Sequence, residues 1–327
     1  MAEPRTQSRP GQGRQSPGRR VRPASRAGTR RRASRARLLL VGLVVVGALA
    51  ALALAAGDKG GGGDVATTGA GAGGDGDFVH IHRLGVDAGD GSLLVATHNG
   101  LFRLPAGGEP RRVGARHDLM GFTVVSPARF LASGHPDRDD LSLAKPGVPP
   151  LLGLVESRDG GRTWKSLSLL GQADFHALVA AHGRVYGGDG TTGRFMVSED
   201  GRDWETRSTT PLFGLAVSPD DADVIVGTGQ RGTIRSEDGG RTWRSLDAPA
   251  LTFLSWEAGS GLWGVGVDGT VFVSGDGSGG WERRGELGGR PAALLAADGT
   301  PYAATEEGAI LSSRDGGRTW SARYDPE

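Results

Sequence analysis

Hydropathy divides the chain into four stretches. Residues 1–37 carry few apolar side chains, and residues 38–57 carry no charged one. Residues 58–77, DKGGGGDVATTGAGAGGDGD, are dominated by Gly and Asp. From Phe78 to the C-terminus, short apolar runs such as LLVAT, GLFRL, FLAS and RFMVS alternate with turns rich in Gly, Asp and Ser. Runs this short, bounded by turn-forming residues, read as β-strands. No stretch after residue 57 has helical periodicity, so the folded part is expected to be all-β.

The strands repeat. Trp164, Trp204, Trp243, Trp281 and Trp320 recur at spacings of 40, 39, 38 and 39 residues. Each ends a similar segment: Ser157-RDGGRT-Trp164, Ser198-EDGRD-Trp204, Ser236-EDGGRT-Trp243, Ser274-GDGSGG-Trp281 and Ser313-RDGGRT-Trp320. Upstream of each lies a short strand opened by Gly153, Gly193, Gly232, Gly269 or Gly308; Gly100 opens a sixth, which lacks the Ser-x-Asp turn. Aligned on these glycines, residues 78–327 form six copies of a four-stranded unit, with strands A to D. Repeats of about 42 residues with one aromatic motif each predict a six-bladed β-propeller. The polar, Pro-rich segment 135–150 stretches the B-to-C connection of the second copy. Each Ser-x-Asp segment becomes a C-to-D turn. Its Asp accepts backbone N–H groups, its glycines take positive φ, and its Trp fills the space between blades.

These segments resemble the Asp-box (BNR) repeats of sialidases, sortilin-type receptors and related propellers. HIHRLGVDAGDGSLLVATHNGLFRL, HDLMGFTV, FLASGHP and ADFHAL narrow the likeness to exported bacterial propellers described as glycosylhydrolase-like. The resemblance covers residues 80–327 and implies the propeller fold. The same turn decorates enzymes and non-enzymes, so it implies no single activity. The chain departs from sialidases in lacking their Arg-Ile-Pro signature. Its three tyrosines, Tyr186, Tyr302 and Tyr324, have no Glu partner in the sequence pattern.

The overall charge of +1 conceals an asymmetry. Residues 1–37 contain 12 Arg and one acid, Glu3, whereas the remainder contains 26 basic and 36 acidic side chains. The basic, Pro-rich start reads as a disordered cytoplasmic tail. Residues 38–57 are long enough to span a bilayer as a transmembrane signal-anchor helix. Arg35 and Arg37 before the span and Asp58 after it place the propeller outside the cytoplasm. Ala53-Leu54-Ala55 offers a cleavage site that would instead release a secreted protein. Residues 58–77 form a flexible linker. The acidic body argues against nucleic acid as a partner, because phosphate binding needs clustered cations.

With no Cys, thiol chemistry and Cys-ligated zinc are excluded. All seven histidines fall in the first half of the propeller. In this topology the D-to-A and B-to-C connections share one face. His80, His82, His98, His117, Asp118, His135, Asp174 and His176 all map there, near the channel mouth across three adjacent blades. His182 and the Ser-x-Asp turns map to the other face. Imidazoles and carboxylates converging on a mouth suit a divalent transition metal such as zinc or copper. Two functional readings remain open. One is a membrane-anchored binding or assembly module whose mouth takes a glycan, protein or peptide. The other is a glycosidase-like hydrolase, with Asp118, Glu156 and His82 as candidate catalytic groups.

Overall fold

The computed structural model describes Phe78 and residues 80–326. The tail, membrane span and linker inferred for residues 1–77 lie outside the described residues. Among the described residues, no helix is long and apolar enough to cross a membrane.

Six four-stranded antiparallel sheets follow one another along the chain. Blade 1 comprises β1 (Ile81–Asp87), β2 (Ser92–Thr97), β3 (Gly100–Leu104) and β4 (Arg111–Val113). Blade 2 comprises β5 (Asp118–Ser126), β6 (Arg129–His135), β7 (Leu154–Ser157) and β8 (Lys165–Ser168). Blade 3 comprises β9 (Phe175–Ala181), β10 (Arg184–Asp189), β11 (Arg194–Ser198) and β12 (Glu205–Thr209). Blade 4 comprises β13 (Gly214–Val217), β14 (Ile225–Gly229), β15 (Gly232–Ser236) and β16 (Arg244–Ser245). Blade 5 comprises β17 (Leu251–Glu257), β18 (Gly261–Gly266), β19 (Thr270–Ser274) and β20 (Glu282–Glu286). Blade 6 comprises β21 (Pro291–Ala297), β22 (Thr300–Thr305), β23 (Ile310–Ser312) and β24 (Ser321–Tyr324).

The first strand of each blade packs beside the first strand of the next, and β21 packs against β1 to close the ring. Each blade is built from consecutive strands, so closure needs no strand exchanged between the chain ends. This is the six-bladed propeller the repeats predict.

The repeated turns explain both the spacing and the packing. All six glycines before or at the start of the third strand have positive φ, from 61° at Gly153 to 118° at Gly100. A Cβ at Gly153 would also lie 2.3 Å from the carbonyl carbon of Leu169, so only glycine fits there. In the turn after β7, the Ser157 hydroxyl donates to Asp159 Oδ1 at 2.8 Å, and Gly161 N donates back to Ser157 Oγ at 2.8 Å. Asp159 also accepts the Thr163 amide at 2.9 Å and hydroxyl at 2.6 Å. The same set recurs at Asp238 with Thr242 and at Asp315 with Thr319. In the two turns lacking Thr, Asp276 accepts the Ser278 hydroxyl and amide, and Asp200 accepts the Arg202 and Asp203 amides.

The Trp that follows each turn is carried back toward the preceding blade. Trp164, 7% exposed, joins Leu94, Ala96 and Leu101 of blade 1 with Phe122 and Phe130 of blade 2. Trp204 stacks on Phe175 at 4.7 Å, and Trp243 meets Phe195 edge-on at 5.4 Å.

Candidate metal centre at the channel mouth

Three structurally equivalent positions recur at the mouth end of blades 1 to 3. The first precedes or opens the inner strand: His80, Asp118 and Asp174 in blades 1 to 3. The second lies two residues further on, at a β-bulge. Pairing shifts between Ile81 and Arg83, between Leu119 and Gly121, and between Gly188 and Asp189 opposite Ala177 and Phe175. The residues left over are His82, Met120 and His176. A bulge leaves its extra residue out of the ladder and re-aims its side chain. The third position ends the second strand or follows it: His98, His135 and Gly190. The fold therefore gathers imidazoles and carboxylates from three blades because it repeats.

Asp118 is the hub. His98 Nδ1 and His135 Nδ1 each lie 3.1 Å from its Oδ2, and His82 Nε2 lies 3.2 Å from its Oδ1. His135 continues the chain, with Nε2 3.6 Å from Asp174 Oδ2. The same Asp174 oxygen lies 2.8 Å from His176 Nε2. Six of the sequence candidates are thus joined: His82, His98, Asp118, His135, Asp174 and His176. Both carboxylates are buried, Asp118 being 9% and Asp174 2% exposed, while the His98 side chain is 55% exposed. The cluster opens to solvent most widely at His98, with His135 and His176 also partly exposed.

His82, His98 and Asp118 each offer a ligand atom within 4.8 Å of the other two. His82 Nε2 and Asp118 Oδ1 face each other at 3.2 Å, yet both atoms are buried without a hydrogen-bond partner. Their alignment does not place a proton between them. Two ligands about 2.0–2.1 Å from a tetrahedral zinc ion would lie about 3.3 Å apart. The separation fits a shared cation. Two imidazoles and one carboxylate favour a borderline transition ion over Mg²⁺ or Ca²⁺.

The protonation tendencies agree with this donor set. Burial would raise the Asp118 carboxyl, but its hydrogen bond with His135 and the nearby imidazoles of His82 and His98 hold it below the ordinary carboxylate range. Burial lowers His82 and favours the neutral form a metal requires, despite its contact with Asp118. His135 is raised by its hydrogen bond to Asp118, against burial and with help from Asp174. Two of the three imidazoles on Asp118, those of His82 and His135, are therefore pushed in opposite directions. Of these, His82 matches a ligand, and His135 matches a cationic tie between the two carboxylates.

Three sequence candidates take other places. His117 alternates to the far side of its strand from Asp118. Its Nδ1 accepts the Asp137 amide at 2.9 Å, and its Nε2 lies 3.9 Å from Asp140 Oδ2. Buried at 2% exposure, it holds the long loop after β6 and does not join the cluster. His80 is exposed, has a φ of 46°, and stands beside the site with its ring 6.2 Å from that of His98.

Glu156 is separated from Asp118 by the register. It pairs with Leu131, whereas Asp118 pairs with His135 four residues further along β6. At about 3.3 Å per residue, this is about 13 Å along the strand. Glu156 accepts Arg129 Nε and Arg158 Nε, both at 2.8 Å, and those ion pairs hold it below its usual range despite partial burial. The proposed Asp118–Glu156 carboxylate pair is corrected accordingly: glycosidase pairs stand about 5–9.5 Å apart.

One mouth residue was absent from the sequence candidates. Arg83, next to His82, donates through Nη1 to His82 O at 2.8 Å. Its Nη2 reaches across the channel to His176 O in blade 3 and Phe213 O before blade 4. Burial lowers its guanidinium to about 10. The sequence did carry a signal: a charged residue in an inner propeller strand must meet the channel or a neighbouring blade.

No protein-family profile matches the chain, and no curated protein matches it. Solved structures do share the fold. A chain from the nidogen/laminin complex is 16% identical with a TM-score of 0.53, over 68% of this chain and 88% of that one. The YCF48 protein bound to D1 peptide is 18% identical with a TM-score of 0.49, over 76% and 81%. An ancestral GH74 enzyme is 11% identical with a TM-score of 0.49; the match covers 76% of this chain but only 39% of the enzyme. The fold and site define the class: a six-bladed β-propeller with a His/Asp cluster at one channel mouth.

Proposed function

We propose that the protein is a membrane-anchored, extracytoplasmic binding module whose propeller mouth holds one divalent transition-metal ion. His82, His98 and Asp118 are its ligands, while His135, Asp174 and His176 orient the site from behind. The observation that carries this reading is the buried, unsatisfied pair His82 Nε2 and Asp118 Oδ1, with His98 completing the set. The anchor rests on the uncharged segment 38–57 and its basic flank. We read the repeated Ser-x-Asp turns as Asp boxes, supported by their bonding and the Trp that follows each. Protein or peptide ligands suit the mouth. A chain of similar fold comes from a nidogen/laminin complex.

The test is titration of the purified 327-residue chain with Zn²⁺, Cu²⁺, Ni²⁺ and Co²⁺. One equivalent should bind, and Asp118→Ala and His98→Ala should each weaken uptake at least tenfold. Failure of all four ions to bind in a defined ratio would remove the metal reading. The hydrolase alternative loses its carboxylate pair, and Asp118, held ionised, is unsuited to donate a proton as a general acid. A glycan-substrate screen of the same preparation, with Asp118→Ala as control, tests whether any such activity exists.

A further inference from the structure

Arg83 is a cation in the channel that hydrogen-bonds to backbone carbonyls. Its three hydrogen bonds go to the carbonyls of His82, His176 and Phe213. Among the described residues, no carboxylate forms an ion pair with it. A guanidinium has five N–H donors, so two make none of these bonds. Its planar fork suits carboxylates, and loss of bulk solvent strengthens the attraction.

The surroundings extend this recognition surface. Thr210, Pro211, Gln230 and Arg231 line a cavity of about 160 Å³ between blades 3 and 4. These residues belong to D-to-A and B-to-C connections, the same face as the His/Asp cluster. The cavity begins two residues before Phe213, whose carbonyl holds Arg83 and whose residue is 37% exposed. Arg231 at its rim is exposed and adds a second positive charge.

Charge makes binding conditional. Asp118 and Asp174 oppose Arg83 in the metal-free mouth. A divalent ion reverses that balance, leaving a net excess of positive charge for an incoming anion.

We propose that the metal-loaded mouth recognises a ligand through a carboxylate held by Arg83 beside the metal, with an adjoining apolar group seated in the blade 3–4 cavity. This rests on the metal reading above and adds the ligand's chemical class. A free organic acid and a peptide C-terminus offer the same chemistry.

The experiment uses the full chain, with and without one equivalent of the ion it binds most tightly. Three probes are titrated calorimetrically: 3-phenylpropionate, the tripeptide Ala-Ala-Phe and its C-terminal amide. The proposal expects metal to tighten carboxylate binding at least tenfold and the amide to bind at least tenfold more weakly than the free tripeptide. Preference for the tripeptide over 3-phenylpropionate would assign a peptide terminus; the reverse would assign a small acid. Arg83→Gln should lose at least tenfold in carboxylate affinity while taking up metal in the same ratio. Arg83→Lys, which retains the charge, should keep part of that affinity and controls for folding. Metal uptake with equal binding of acid and amide, or unchanged carboxylate affinity in Arg83→Gln, would overturn this inference and leave the metal reading intact. No metal uptake would overturn both.

Discussion

Replacing Gly190 with Ala tests how the repeated blade positions the site without removing any of the six clustered side chains. Gly190 is the blade 3 counterpart of His98 and His135, and its φ needs no glycine. A Cβ there would lie 2.8 Å from Cγ, Cδ2 and Cε1 of His176, so it would press on the ring face. Relief to ordinary contact requires about 0.7–1.2 Å of ring movement, since nonbonded carbon atoms prefer about 3.5–4.0 Å. His176 Nε2 starts only 2.8 Å from Asp174 Oδ2. A shift of that size breaks the hydrogen bond, on a carboxylate whose Oδ1 already lacks a partner. Loss of a hydrogen bond to a charged group costs about 1.5–3 kcal/mol. For a domain of this size, where each kcal/mol shifts Tm by about 2–4 °C, we expect a fall in Tm of about 3–12 °C. Differential scanning calorimetry measures it, and metal titration should show the His82–His98–Asp118 site still filling. An unchanged Tm, together with a preserved His176 resonance in NMR spectra, would refute the reasoning.

Trp164→Ala should destabilise the fold by about 3–5 kcal/mol, because it empties a buried position between blades 1 and 2; denaturant unfolding checks this. Asp159 and Asp238 each lie at about 2. At Asp159, Thr163 bonds outweigh burial; at Asp238, Thr242 bonds dominate. Their folded values are below the unfolded ones, so this stabilisation is present above about pH 4 and is lost as pH falls through about 2. An Asp159→Asn/Asp238→Asn variant should flatten stability against pH across that window. Protons compete with metal for the imidazoles, so metal affinity should fall by at least tenfold from pH 7.5 to 5.5, measured by calorimetry.

The sequence made the architecture legible because each blade carries its own turn chemistry. Ser157, Asp159 and Trp164 mark one C-to-D turn, and the same marks recur at fixed spacing. Much of the site was legible for the same reason: strand order alone assigns His98, Asp118, His135 and Asp174 to one face. Register and bulges were not legible, since they depend on pairing between strands. Glu156 looked close to Asp118 when only its strand was known, but β6 sets them at different heights. His117 looked equivalent to its neighbour Asp118, although alternation turns it into the loop. Arg83 escaped notice because its partners are backbone carbonyls from distant blades, which carry no mark in side-chain sequence.

The central claim is that these side chains share a metal ion. X-ray absorption at the metal edge of the loaded full chain tests it directly. For zinc, the account predicts two imidazole nitrogens and one carboxylate oxygen at about 2.0–2.2 Å, with the imidazole signal reduced by half in His98→Ala. A shell of water oxygens alone, or a spectrum identical in His98→Ala and Asp118→Ala, would contradict it.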